Sequence, residues 1–461
     1  MVGWLYSTLL RLALPLWLAR LWWRGAREPG YRRHVGERLG LGARQAPGAL
    51  WVHAVSLGET RAAAPLVAAL RERLPGVKLL LTHGTATGRE AGAALLQPGD
   101  RQAWLPIDTP GAVRRFLQRQ RPALGVLMET EVWPNLQVQA QRSGVPVVLA
   151  NARLSQRSAA KGRRLAALMR PALASIRCVL AQTEPDARRL RALGARDVRV
   201  MGNLKFDLAP RDDLLEQGRR WRQALARPVV LAAVTREGEE QGLLSAWQAV
   251  AWLHERPLLL IVPRHPQRFD EVACLVRSAG FGMARRSAWR GDAGDPPSAA
   301  ARACDVWLGD SLGEMALYYG LADAALLGGS FAPLGGQNLI EALACGCPLV
   351  VGPHTFNFAE AAQGAIDAGA AERVESLPEA VAALQRWLTP GEAAEASEAA
   401  EASEASEASE ASEASEADGL ARRAEAGRRF AAAHRGAARR MAEAVVEVWR
   451  EPRRDAGSAA G

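Results

Sequence analysis

The residues best suited to chemistry are carboxylates placed where apolar strands run out. Ser56-Leu57-Gly58-Glu59 follows the apolar run 51–55 and precedes a helix-like run, so Glu59 sits where a strand becomes a helix. A carboxylate in that position is a candidate general base towards a ligand hydroxyl. The same tetrapeptide is also a capping box, in which the Ser hydroxyl and the Glu carboxylate satisfy orphan N–H groups at a helix start. Taken by itself it favours capping over catalysis. Glu129 and Glu131 follow the strand 124–128, and at least one of them is expected at the carboxyl edge of a sheet, where ligands bind. The plain alternative is a solvated turn in which Pro134 opens a helix. Asn151-Ala-Arg153-Leu-Ser155 follows a further strand and offers amide, guanidinium and hydroxyl groups that suit a sugar or a phosphate.

Farther on, the strand 258–262 ends in Pro263-Arg264-His265-Pro266. An arginine held between prolines at a strand end can grip a phosphate through a planar, charge-assisted fork; otherwise this is a proline-bounded loop with exposed charge. Gly309-Asp310-Ser311-Leu312-Gly313-Glu314-Met315 and Gly335-Gly336-Gln337-Asn338-Leu-Ile-Glu341 are two glycine-bearing turns, each with a nearby glutamate. Glycines before a helix let backbone N–H groups approach an anion, and Glu341 could accept hydrogen bonds from a ribose diol. One such turn is weak evidence. Two after successive strands point to a nucleotide-type ligand.

These residues need a frame. From residue 49 short apolar strands alternate with helix-like runs: 50–55, 77–82, 103–105, 124–128, 145–150, 178–182 and 199–201, then 229–233, 258–262, 281–284, 305–308, 324–327 and 348–351. Alternation of this kind predicts parallel strands with crossover helices, an α/β fold of two Rossmann-like sheets in tandem, facing a cleft. The expected domains are 35–205 and 206–390. They are followed by a low-complexity acidic insertion of EAS triplets at 391–418, which lacks the apolar groups for a core, and a C-terminal helix and tail at 419–461. The helical pattern there runs from Leu420 to Arg450.

With 461 residues, 49% hydrophobic and 23% charged, the chain is globular and too long for a single core. A net charge of +9 suggests anionic partners. Arginine is scattered through the helices with few aromatic residues between, and no zinc finger or other nucleic-acid signature occurs, so nucleic acid is the least favoured of them. Five cysteines with no CxxC pair read as reduced, mostly buried residues, and no metal cluster is visible.

Residues 1–24 form a hydrophobic segment interrupted by Arg11, Pro15 and Arg20. It reads as a membrane anchor, spanning or interfacial, and Arg24, Arg27, Arg32 and Arg33 after it place the remainder of the chain on the cytoplasmic side. The rival expectation is a helix that buries its apolar face in or against the first domain.

The motifs WVHAVSLGE, LPIDTPGAVRRFL, METEVWPN, NARLSQRS, MGNLKFD, IVPRHPQRF, LGDSLGEM, GGSFAPLGGQNLIEAL and GPHTFNF occur in this order. Over residues 1–390 the chain resembles the 3-deoxy-D-manno-octulosonic acid (Kdo) transferases of lipopolysaccharide and lipid A biosynthesis. The resemblance implies a GT-B glycosyltransferase with the acceptor on the N-terminal domain and the donor, CMP-Kdo, mainly on the C-terminal one. It also implies a cell inner membrane protein facing the cytoplasm, with a phosphorylated lipid A precursor (lipid IVA) as acceptor and no cofactor or metal. On the same grounds Glu59 matches the proton acceptor, Pro263 and Arg264 a CMP-contacting pair, Leu312, Gly313, Glu314 and Met315 a second contact, and Asn338 to Glu341 a third. Ser56, Gly58, Glu129 and Arg153 are acceptor-side or structural candidates. The chain departs from the pattern at Val234-Thr235-Arg236, where Ser-Thr-His is usual, and at Gln337, where His is usual. Two rivals stay open: a GT-B transferase with another nucleotide sugar and a lipid acceptor, and an inactive CMP-sugar-binding membrane protein. The number of Kdo residues added is not legible in these motifs.

Overall fold

The computed structural model describes residues 2–252, 256–289, 295, 297–389 and 409–451. Most of the expected EAS insertion lies outside them. The described residues form two compact units, Met1–Leu208 with the chain end from His434, and Ala209–Ala433.

In the first unit seven parallel strands form one sheet: β1 (Ala49–His53), β2 (Leu79–His83), β3 (Arg101–Trp104), β4 (Pro122–Met128), β5 (Val147–Ala152), β6 (Cys178–Ala181) and β7 (Val198–Val200). Their order is β3-β2-β1-β4-β5-β6-β7. β1, β2, β4 and β5 are buried along their whole length, as expected of parallel strands covered on both faces. One covering layer includes the helix Leu57–Arg73 and the final helix Ala437–Arg450, which sends Met441, Val445 and Val448 into the core beside Leu66 and Leu70.

The second unit repeats the design with β8 (Val229–Thr235), β9 (Leu258–Pro263), β10 (Met283–Arg285), β11 (Val306–Leu308), β12 (Ala324–Leu327), β13 (Leu349–Val351) and β14 (Ala371–Arg373), in the order β10-β11-β9-β8-β12-β13-β14. The strand order reverses between β1 and β4 in the first sheet and between β8 and β12 in the second, where β10 lies outside β11 at the far edge. Such a switch point is where an open α/β sheet leaves a crevice at its carboxyl ends.

Two expectations need correcting. The pattern over Leu420–Arg450 is two helices, Ser409–Ala433 and Ala437–Arg450, divided at Gly436, whose φ of 94° favours glycine. Asp207 accepts the N–H groups of Gly436 and Ala438, so a carboxylate caps the last helix, and that helix belongs to the first unit. The strand β14 was not anticipated, because three residues of which only Ala371 is buried carry almost no hydrophobic signal.

The N-terminal helix Val2–Arg24 is, among the described residues, long and apolar enough to cross a membrane. It does not bury its apolar face in the first unit. Its side-chain hydrogen bonds there come from the Tyr6 hydroxyl, which donates to Asp108 Oδ2 (2.9 Å), and from Ser7 Oγ, which donates to Asn135 Oδ1 (3.0 Å), while Leu10, Leu14 and Trp17 are half-buried beside them. Leu12, Leu16 and Trp23 are 72%, 76% and 84% exposed.

In the second unit, buried charge fixes the loops after the strands. Glu240 is fully buried, accepts from Thr235 Oγ1 (2.7 Å), and takes both terminal nitrogens of Arg268 at 2.7 and 3.1 Å. Glu239 accepts the backbone N–H groups of Arg236, Gly329 and Phe331, which ties the end of β8 to the loop after β12. Removing one partner of such a pair strands a charge in a poorly solvated site. Arg268→Ala is expected to destabilise the second unit by about 3–5 kcal/mol, and the double change Arg268→Met/Glu240→Gln to recover most of that loss, as read by urea unfolding. Packing makes a second demand. A Cβ at Gly218, on the helix Asp212–Gln223, would lie 2.1 Å from the Leu317 carbonyl of the helix Met315–Leu321. Gly218→Ala is expected to cost roughly 1–3 kcal/mol in the same assay.

Candidate active site

The end of β1 and the start of the helix Leu57–Arg73 place Glu59 at the first switch point. The capping geometry is real. Ser56 caps the helix and accepts the Glu59 N–H, while Glu59 Oε2 accepts the Val55 N–H at 2.8 Å and Oε1 the Ser56 hydroxyl at 3.3 Å. Capping and base chemistry are compatible, because these contacts fix the carboxylate and leave it half-buried at the sheet edge. Burial pushes the Glu59 carboxyl up to about 7 against the pull of the Val55 N–H, and the neighbouring Glu129 and Glu131 raise it further. A carboxylate tuned near neutrality is well matched to general-base work at physiological pH.

Glu129 directly follows β4 across the switch point and is buried. Its Oε2 accepts from Arg153 Nε at 2.8 Å, so the two candidates predicted on separate strands form one ion pair. Glu129 and Asn151 have φ of 54° and 52°, left-handed backbone that non-glycine residues enter at a cost. The bend at Asn151 aims its Oδ1 at the N–H of Leu204. This draws the segment Leu204–Asp207 towards the site, where Lys205 interacts with Glu129, Arg153 and Glu59. Burial lowers the Lys205 ammonium and Glu129 holds it up. Gly58 is exposed beside Glu59.

Sequence reasoning missed two residues here. Lys205 lies within MGNLKFD, and its only signal was a cation inside a short apolar motif. His53 was read as part of an apolar strand, yet it is fully buried, engages Thr82 through Nδ1 and points Nε2 at Glu131 (3.7 Å).

In the second unit the expected donor residues gather at the carboxyl edge around the second switch point. Pro263 ends β9, and Arg264, exposed, donates its backbone N–H to Thr235 O at 2.9 Å. Burial and then Arg236 and Arg264 lower His265, a sign of concentrated positive charge where β8 and β9 end. Leu312, Gly313, Glu314 and Met315 follow β11, which neighbours β9. Leu312 is 76% exposed, Gly313 has a φ of 85°, and Glu314 is held by Arg286 Nη2 at 2.7 Å. The Arg286 guanidinium itself lies over the rings of Trp221 and Trp289. Asn338 stands at the N-cap position of the helix that carries Glu341 in its first turn, makes no capping hydrogen bond, and leaves its buried Oδ1 without a hydrogen-bond partner.

The two departures from the motif pattern fall in this edge. Val234 has a φ of 60°, a strained state for a β-branched residue, and it coincides with a register shift between Ala233 and Thr235. Its carbonyl lies 2.3 Å from where a Cβ on Gly328 would be, so only glycine fits there. The buried Arg236 Nε lacks a partner, and Gln337 bonds through its backbone N–H to Gly328 O. Unpaired buried donors and acceptors of this kind carry a desolvation cost that a bound polar ligand would relieve. Glu239 and Glu240, which brace this edge together with Arg268 of the Pro263–Phe269 stretch, were not singled out from sequence. Buried carboxylates inside a helix-like run look the same there as solvated ones.

Comparison with known proteins agrees with this geometry. Residues 33–208 match the family model described as 3-Deoxy-D-manno-octulosonic-acid transferase (kdotransferase). A 3-deoxy-D-manno-octulosonic acid transferase of Bordetella pertussis is 48% identical over 96% of this chain and 98% of its own. One from Haemophilus influenzae is 36% identical over 77% of this chain and 83% of its own. Among solved structures, a UDP-GlcNAc 2-epimerase from Neisseria meningitidis superposes with a TM-score of 0.54 at 15% identity, covering 87% of this chain and all of that one, a likeness of fold alone. The two seven-stranded parallel sheets are those of the GT-B architecture. By sequence along almost its whole length, the chain belongs to the 3-deoxy-D-manno-octulosonic acid transferase family of glycosyltransferases.

Proposed function

We propose that the chain transfers Kdo from CMP-Kdo to a hydroxyl of a phosphorylated lipid A precursor, lipid IVA, with inversion at the anomeric carbon. The observation that carries the reading is Glu59, a fixed, half-buried carboxylate whose ionisation is moved to about 7. In the proposed step Glu59 takes the acceptor hydroxyl proton as that oxygen bonds to the anomeric carbon. The bond from that carbon to the CMP phosphate oxygen breaks, and its electron pair leaves with CMP. On the second unit, Arg264 and the neighbouring Arg236 would offset charge growing on the departing phosphate. Pro263, Leu312 to Met315, Asn338 and Glu341 would hold the nucleotide. On the first unit, Ser56 fixes Glu59, and Arg153 with Lys205 supplies positive charge balanced by Glu129 on the acceptor side. No step is assigned to a metal or cofactor.

The same reading puts the protein at the cytoplasmic face of the inner membrane. The apolar helix Val2–Arg24 supports this, with exposed leucines and tryptophans and arginines at its end. Polar contacts through Tyr6 and Ser7 favour a helix lying along the first unit over one departing from it.

The test is acceptor-dependent CMP release by the full chain in detergent, with CMP-Kdo and tetraacylated lipid A precursor. Glu59→Gln is expected to lower turnover about 10²- to 10⁴-fold while still binding CMP. Near-normal turnover would remove Glu59 from the role of base. The sign of the pH effect follows from the raised carboxyl: the base is ionised above about 7 and protonated below it. Wild-type kcat/KM is therefore expected to fall as pH drops through 7, reaching about one tenth of its plateau at pH 6. Stability moves the other way, since a raised carboxyl favours the fold below its ordinary range and that contribution is lost as pH rises through 7. Glu59→Gln is accordingly expected to melt no lower than wild type at pH 8. CMP binding without any turnover in wild type would favour an inactive binding protein.

A further inference from the structure

Within residues 156–170, Arg157, Lys161, Arg163, Arg164 and Arg170 are all exposed, and the segment contains no carboxylate. It forms two helices, Gln156–Arg164 and Ala166–Ala174, joined at Leu165, which is 55% exposed at the corner. Among the described residues none of these five cations has an ion pair. Some surface arginines of the same unit are matched, as Arg177 is with Glu451, Arg191 with Glu184 and Arg199 with Glu447, while Arg61, Arg142 and Arg188 are exposed without an ion pair among the described residues; this corner differs in gathering five cations within fifteen residues that include no carboxylate. Lys161, Arg163 and Arg164 also occupy the last turn of their helix, where the helix dipole suits cations and makes no demand for a carboxylate partner.

The corner adjoins the apolar N-terminal helix. Within the first unit, Val2–Arg24 packs against the helices Pro134–Arg142 and Ala166–Ala174. Its outward face carries Leu5, Leu9, Leu12 and Leu16. An apolar helix lying on the body beside unpaired cations and an exposed leucine is the pairing of signals that holds a protein on an anionic bilayer, since one signal alone gives marginal attachment.

We propose that the Gln156–Ala174 corner is a second membrane contact: Lys161, Arg163 and Arg164 bind the phosphate headgroups of an anionic lipid surface, Leu165 enters the interface, and the N-terminal helix is thereby held in the plane of the membrane. The proposal rests on the reading of Val2–Arg24 as a membrane anchor. The corner binds a bilayer surface. Capture of the acceptor's own phosphates is the competing outcome.

The test uses the full chain with Cys274→Ser and Cys304→Ser, which leaves the three buried cysteines as the only native thiols. An environment-sensitive fluorophore is placed at Leu165→Cys or, separately, at Leu12→Cys. Vesicles are phosphatidylethanolamine with phosphatidylglycerol, or phosphatidylcholine alone, without acceptor. Both probes are expected to shift to the blue on anionic vesicles, and only the Leu12 probe on neutral ones. Lys161→Glu/Arg163→Glu/Arg164→Glu is expected to weaken the vesicle dependence of the Leu165 shift by about tenfold or more, and salt at about 0.5 M to act likewise. Three results overturn the proposal: a silent Leu165 probe on anionic vesicles where the Leu12 probe shifts, an equal Leu165 shift on neutral vesicles, or a shift that appears only when acceptor is added. A Leu12 probe silent on every vesicle would instead overturn the anchor reading, whatever Leu165 reports.

Discussion

The proposed chemistry depends on one desolvated carboxylate held at the point where a strand becomes a helix. Burial raises the free energy of ionised Glu59, and the Val55 N–H and Ser56 hydroxyl offset only part of that cost. A carboxylate in water would be too weak a base at neutral pH, and one fully sealed in the core could not reach a ligand. The capping box resolves this conflict by binding the carboxylate from behind while leaving it half-buried at the sheet edge.

Both sheets use the same device to bring side chains to that edge. Where the strand order reverses, the crossover helices leave to opposite faces and the strand ends are uncovered. Glu59 and Glu129 flank one such point, while Arg236 and the Gly328 turn flank the other. Left-handed backbone recurs there, at Glu129 and Asn151 in the first unit and at Val234 in the second. Such conformations persist only where surrounding contacts over-determine them. Glu239 supplies three of those contacts, and the fully buried Glu240 with Arg268 supplies the brace behind them.

Most strands were legible because parallel strands buried on both faces must be continuous apolar runs, as Leu124–Met128 and Leu258–Val262 are. The strand Ala371–Arg373 was not, since it lies at a sheet edge and buries only one residue. Glu59, Glu129, Arg153 and the donor turns could be located because each lies in the segment between a strand and the next helix or at that helix's start. Their partners could not, because they come from distant sequence: the bend at Asn151 brings Lys205 in, and Arg268 reaches back to Glu240. The destination of the last helix was hidden for a related reason. Its amphipathic pattern predicts burial of one face, but the cap from Asp207 that fixes it to the first unit depends on a contact across about half the chain. The direction of the N-terminal helix was also hidden, since sparse polar residues in an apolar run do not reveal that they are the ones facing the protein.

The most direct measurement is the ionisation of Glu59 itself. In full-length protein labelled with ¹³C at glutamate side-chain carboxyls, the resonance missing from Glu59→Gln identifies the group, and its shift is followed against pH. The expected midpoint is about 7, set mainly by burial. A midpoint in the ordinary carboxylate range, near 4, would mean that water reaches the group freely. It would then be a helix cap and not a tuned base.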